Sequence, residues 1–249
     1  MDTLFLAWQD PIQRRWHAVG RLDRTNGTYT FVYTKGAAEA RNQGFTPIVS
    51  FPDFEVRYEA DEIFPLFANR VLSPNRPEYN DFVEWLSIPK HEADPIAILA
   101  RTGSDRQADT LEIFPLPQRE GDAYHAHFFL RGLRHQAPNA IDRVKSLEPG
   151  ERLHMMADFQ NEHDPDAIAL RTDEQQEQDM HLMGYLPRYL ARELKYVDRE
   201  NLEEAVVTVE RVNPPPAPVH FRVLCSMTMR WISNVEPFSM DEYQPLVEG

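Results

Sequence analysis

The densest run of side chains able to do chemistry is QNEHDPDAIAL, residues 160–170, which holds Asn161, Glu162, His163, Asp164 and Asp166. Carboxylates with imidazoles in one cluster can hold a metal. His154 and Asp158 extend the cluster upstream. Asp164-Pro165 also fits a solvated turn opening the strand AIAL. A second candidate is His125 with His127, two apart and therefore on one face of a strand. Neither group has a glutamate or third histidine at a convincing ligand spacing, so the expectation is no metal and no cofactor. The single cysteine, Cys225, lies in the apolar run FRVLCSM and reads as a buried structural thiol rather than a nucleophile. The chain has no GxxxxGK[ST] phosphate loop, GxSxG elbow, HExxH helix or glycine-rich dinucleotide turn. It reads as a non-enzyme. A metal-assisted hydrolase built on Asp164, Asp166 and nearby histidines is the competing catalytic reading.

Forty acids against 26 bases give a net charge of −14 over 249 residues. The deficit is spread along the chain, −6 before residue 126 and −8 after it, so neither half is a basic module. That argues against non-specific coating of duplex DNA, which requires neutralising many phosphates. A hydrophobic content of 42% allows real cores and excludes a disordered chain. The opening MDTLFLAWQDPIQRR lacks a signal-peptide layout, and no apolar run reaches the roughly 18 residues of a membrane span. The expectation is a cytoplasmic protein without a membrane partner.

These residues must be positioned by an α+β fold of two small strand-rich modules. In the first, TYTFVYT alternates Tyr29, Phe31 and Tyr33 on one face, and Asn26-Gly27 marks a hairpin with WHAVGRL. KGAAEARNQ reads as a helix stopped at Gly44, and two short proline-punctuated helices follow, ending in EYNDFVEWL, with Phe82, Trp85 and Leu86 able to face a core. DPIAILART then reads as a helix and DTLEIFP as a strand. Residues 115–125, PLPQREGDAYH, form a boundary, giving modules at 1–118 and 126–249. In the second module AHFFLRGLR, ERLHMMA, AIAL, HLMGYL, AVVTVERV and HFRVLCSMTM read as strands. PNAIDRVKSL and PRYLARELKYV, with Pro187 near its first position, read as helices. Several short strands with two helices predict a small barrel-like sheet.

QNEHDPDAIAL resembles the central signature of HIRAN domains, an N-x-x-D-x-x-A-I-like run leading into a strand. RGLRHQ, residues 131–136, resembles that family's first strand. GYLPRYLAREL, residues 184–194, resembles its glycine-led strand and short helix. The resemblance covers roughly residues 126–230. It implies a modified OB-like β-barrel with flanking helices that captures the 3′ end of single-stranded DNA. In the best understood members aromatics stack on bases, a carboxylate meets the terminal hydroxyl and basic residues take phosphates. Asp164 matches the carboxylate and Asn161 the polar residue before it. Tyr185 and Arg188 match the positions after the glycine, here Gly184, and Arg134 matches the basic residue ending the first strand. Where DNA-binding members carry two aromatics, this chain has His135 and Gln136, which weakens one stacking platform, and Glu162 and Asp166 should repel phosphate.

The first half is similar to the N-terminal subdomain of HipA-type proteins. GRLDRTNGTYTFVYTKGAAEA carries a G-x-L…Y-x-F-x-Y pattern, Phe67, Leu72 and Pro74 sit where an F-x-x-x-L-x-P segment would place them, and the resemblance spans roughly residues 4–115. The kinase body of those proteins does not follow. The resemblance implies a subunit that binds a HipA-like serine/threonine kinase, as a sensor or antitoxin-like component of a toxin–antitoxin or phage-defence system. The alternative is a pure protein–protein interaction subunit that restrains a kinase without binding DNA.

Overall fold

The computed structural model describes residues 2–103, 110–172, 179–195, 204–230 and 236–247. The chain divides into two compact units. Unit 1 contains Met1–Val83, Ile88–Leu116 and Pro237–Gly249; unit 2 contains Glu84–Ser87 and Pro117–Glu236.

Unit 1 is built on a five-stranded antiparallel sheet with the order β4-β3-β2-β1-β5. Its strands are β1 (Asp2–Gln9), β2 (Trp16–Thr25), β3 (Thr28–Tyr33), β4 (Tyr58–Ala60) and β5 (Leu111–Pro115). The apolar run of β1 is buried at every position after Asp2, as a central strand covered on both faces requires. The expected hairpin joins β2 to β3 through Asn26 and Gly27, whose φ angles of 50° and 88° match the twist of the flanking strands. Phe31 stacks on Phe51 at 3.8 Å between centroids. The Tyr33 hydroxyl donates to the Phe51 carbonyl and accepts from Ile48 N–H, both at 2.8 Å, and burial pushes its pKa up to about 12. The C-terminal segment returns to this unit. Phe238 and Tyr243 pack on Phe5, and Leu246 N–H donates to Tyr33 O at 2.8 Å. Helices α1 (Lys35–Arg41), α2 (Pro65–Ala68) and α4 (Pro95–Thr102) belong to this unit, and α3 (Tyr79–Trp85) runs from it into the Glu84–Ser87 segment of unit 2. In α3 the fully buried residue is Val83, with Leu86 just beyond the helix, while Phe82 and Trp85 are only half-buried.

Unit 2 contains seven antiparallel strands in the order β10-β9-β8-β11-β12-β7-β6. They are β6 (Gln118–Glu120), β7 (Ala123–Phe129), β8 (Arg152–Ala157), β9 (Ile168–Arg171), β10 (Leu182–Tyr185), β11 (Val206–Val212) and β12 (Val223–Arg230). Helices α5 (Pro138–Arg143) and α6 (Arg188–Leu194) complete the unit. Phe128, Leu130, Leu153, Leu170, Met183, Leu190, Val207 and Cys225 share one core. Residues 118–120, read from sequence as part of a linker, instead form the edge strand β6. Tyr196 and Val197, expected to end the last helix, lie outside the described residues.

The sheet corrects the expected OB-like barrel: it is open. Closure needs the edge strands β6 and β10 to find partners, and among the described residues β6 pairs only with β7. All three β6 residues are exposed, so the strand has no inward face to act as a stave. The free side of β10 meets a single bridge, Arg131 to Tyr185, beyond the end of β7. Among the described residues no helix is long and apolar enough to cross a membrane.

Asp94 does two jobs in unit 1. Its Oδ1 accepts from Ala97 N–H at 2.9 Å, capping α4, and its Oδ2 pairs with Arg24 at 2.7 Å. Asp94→Ala is expected to lower stability by about 1–2 kcal/mol in urea denaturation, and Asp94→Asn, which keeps the cap, by less than half of that.

Candidate nucleic-acid interface

The polar run singled out in the sequence is the loop from β8 to β9. Its base is pinched by Asp158 N–H donating to Ala167 O at 2.9 Å. Inside it, short polar side chains bind their own backbone. Asn161 Oδ1 accepts from His163 N–H and Asp164 N–H, both at 3.0 Å, and Asp164 Oδ1 accepts from Asp166 N–H at 3.0 Å. Asn and Asp favour such turns because their side chains replace missing backbone partners. The loop therefore has a defined shape without help from a core.

Asp158 is the hub. Its Oδ2 accepts from the Tyr185 hydroxyl at 3.0 Å and from Asn161 Nδ2 at 3.3 Å, and its Oδ1 accepts from Gln160 N–H at 3.3 Å. Burial, and then the Asp158 carboxylate, push the Tyr185 phenol above its usual range. Arg188, opening α6, places Nε 3.3 Å from Asp164 Oδ2 and donates to His163 O at 3.3 Å. Lys195 pairs with Asp166 at 2.6 Å, so this acid is compensated within the fold. Four expected residues, Asn161, Asp164, Tyr185 and Arg188, thus belong to one bonded cluster.

Arg134, His135 and Gln136 are joined to that cluster through the backbone before them. Arg131 and Tyr185 exchange both backbone hydrogen bonds at 2.9 Å. The Tyr185 ring lies against Gly132, where an added Cβ would stand 3.2 Å from its Cδ2. The bridge demands glycine at 184: φ there is +155°, and a Cβ would come within 2.4 Å of the Arg131 carbonyl oxygen. Gln136 Nε2 turns back to Gly132 O at 3.3 Å, and Arg134 Nε donates to His135 Nε2 at 2.9 Å. Both Arg134 and His135 are exposed.

Asp158 entered the sequence reading only as part of a histidine–carboxylate group. The signal for its real position is a D-x-x-N-x-x-D spacing, residues 158, 161 and 164. Among the described residues no three His, Cys, Asp or Glu side chains are grouped to hold a metal. His127 Nδ1 sits 2.6 Å from Glu210 Oε2 and His125 Nδ1 sits 3.1 Å from Thr228 Oγ1, so each imidazole has its own partner on the sheet. Cys225 is fully buried, and burial pushes its thiol far above the range in which a thiolate forms.

With this geometry in view, the family profile of the HIRAN domain matches residues 124–229. A HIRAN domain occupies this part of the chain. The match accords with the expectation that this part of the chain is a non-catalytic module. Among solved structures, the crystal structure of the HIRAN domain of human HLTF is similar, with 20% identity over 43% of this chain and 74% of that one and a TM-score of 0.30. No curated protein matches. The HIRAN match begins at Tyr124 and leaves the preceding residues unassigned.

Asp158→Asn should lower the Tyr185 pKa towards its ordinary value near 10, because the carboxylate raises it both as acceptor and as charge. Phenolate absorbance, compared with Tyr185→Phe, reads this directly. The unfolded chain loses the proton first, so the stability linked to Tyr185 is full below pH ~10 and is lost as pH rises from there through the raised folded value.

Proposed function

We propose that the HIRAN domain captures the 3′-hydroxyl end of single-stranded DNA through Asn161, Asp164, Tyr185 and Arg188, with Arg134, His135 and Gln136 on the neighbouring turn. The observation that carries the reading is the bonded cluster that unites the first four residues across a loop, a strand and a helix. Asp164 accepts a hydrogen bond from a terminal hydroxyl but repels a terminal phosphate, so it selects the chemistry of the end. Arg188, already beside it, supplies a cation for the adjacent backbone phosphate. Pairing of Asp166 with Lys195 supports the reading by removing one of the repulsive acids.

Fluorescence anisotropy with 5′-labelled oligothymidylate at fixed salt tests this, with tighter binding expected for a 3′-hydroxyl than for a 3′-phosphate. Asp164→Ala should abolish the preference, because it removes the repulsion and frees Arg188 for phosphate. Arg188→Ala should weaken both ligands and reduce the salt slope by about one. Absence of binding by the folded wild-type chain would refute the reading.

Unit 1 we assign to protein binding, with a HipA-like serine/threonine kinase as the partner and an antitoxin-like or phage-defence role for the whole chain. Support for this comes from the sequence resemblance over residues 4–115. The net charge of −14 favours the variant of this reading in which protein binding is the entire function. Co-elution of the purified chain with a HipA-like kinase in size-exclusion chromatography is expected, and separate elution removes the assignment.

A further inference from the structure

Phe159 is 90% exposed, although burying such a ring would be worth about 1.5–3 kcal/mol. It follows Asp158 directly and stands on the turn closed by Asn161 N–H donating to Asp158 O at 3.2 Å. The turn is held further by Gln160 N–H and Asn161 Nδ2 on the Asp158 carboxylate. The ring is therefore displayed from a fixed backbone, on the same loop as Asn161 and Asp164. It lies outside the N-x-x-D run that marks the family resemblance, and it is apolar, so nothing in the local hydrogen bonding calls for it.

Among the described residues of the site, Phe159 is the one exposed Phe, Tyr or Trp ring. Tyr185 is half-buried, with its ring against Gly132 and its hydroxyl committed to Asp158. His135 has its Nε2 accepting from Arg134, and Gln136 offers no ring. An unpaired nucleobase needs a flat apolar face beside the groups that hold its sugar and phosphate, and stacking supplies affinity without reading sequence.

We infer that Phe159 is the base-stacking residue of this HIRAN domain and carries one of the last two bases of a single-stranded 3′ end held by the Asn161–Asp164 loop. The inference rests on the DNA-end reading above. It makes a chain that lacks the two aromatics after Arg134 competent for DNA by moving the π-face to the β8–β9 loop.

The test pairs protein and ligand changes in one cycle, using 5′-labelled oligothymidylate with a 3′-hydroxyl, either intact or abasic at its last two positions. Phe159→Ala should weaken binding to the intact strand about 5- to 150-fold. Phe159→Leu, which keeps apolar bulk but loses the ring, should lose nearly as much, and Phe159→Trp should retain affinity. Against the abasic strand, wild type and Phe159→Ala should bind alike, because the stacking partner is already gone. Wild-type affinity in Phe159→Ala or Phe159→Leu, or an equal loss on both strands, overturns the stacking role while the end-capture reading stands. Failure of the wild-type chain to bind the intact strand overturns both.

Discussion

Two backbone hydrogen bonds between Arg131 and Tyr185, each 2.9 Å, hold the candidate site together. They join the segment leaving β7 to the end of β10, whose outer edge has no other strand partner among the described residues. The approach is possible because residue 184 has no Cβ to meet the Arg131 carbonyl. From that bridge the rest follows. Tyr185 is directed at Asp158, Asp158 orders the loop carrying Asn161, and the chain runs on through Leu186 and Pro187 into α6, which carries Arg188 to Asp164. A bonded cluster of this kind is a preorganised one. The loop does not have to be ordered by its ligand, so less of the binding free energy goes into fixing side chains.

The overall charge of −14 and the chemistry of the site pull in opposite directions. Counted from sequence, the loop is acidic, with Asp158, Glu162, Asp164 and Asp166 within nine residues. In the fold, Asp158 accepts from a phenol and an amide, Asp164 faces Arg188 and Asp166 faces Lys195. Arg188 and Lys195 offset two of these four negative charges within a few ångströms, while the remote acids are screened over about 8–10 Å of salt solution. A site of the kind proposed here would contact few phosphates and depend on end chemistry and stacking more than on counterion release. The acidic chain then disfavours duplex DNA without forbidding a single captured end.

Much of the architecture was legible in residue order. Alternation in TYTFVYT, the Asn26-Gly27 turn, Asp94-Pro95 before α4 and the apolar β11 all act through neighbours a few residues apart and form where local rules place them, whereas β12 starts at Val223, with His220 and Phe221 in a 3-10 turn before it. Closure into a barrel was not legible. It depends on whether the two edge strands can pair with each other, and among the described residues β6, with three exposed polar residues, and β10, at the other edge, do not. Nor does residue order show that Phe238, Tyr243 and Leu246 return to pack in unit 1, since that contact links residues more than two hundred positions apart.

For the site, the sequence alone determined which chemical groups were available: an amide and a carboxylate three residues apart, a tyrosine after a glycine and an arginine opening a helix. Those relations are local, set by turn chemistry and helix starts, and they survive in the fold unchanged. Only the tertiary structure decided which of them meet. Asp158 and Tyr185 stand 27 positions apart and Arg188 and His163 stand 25 apart, and what brings them into contact is the pairing of β8, β9 and β10. Exposure was decided there too, because a phenylalanine in a sequence reads as core until packing leaves it outside, as it leaves Phe159.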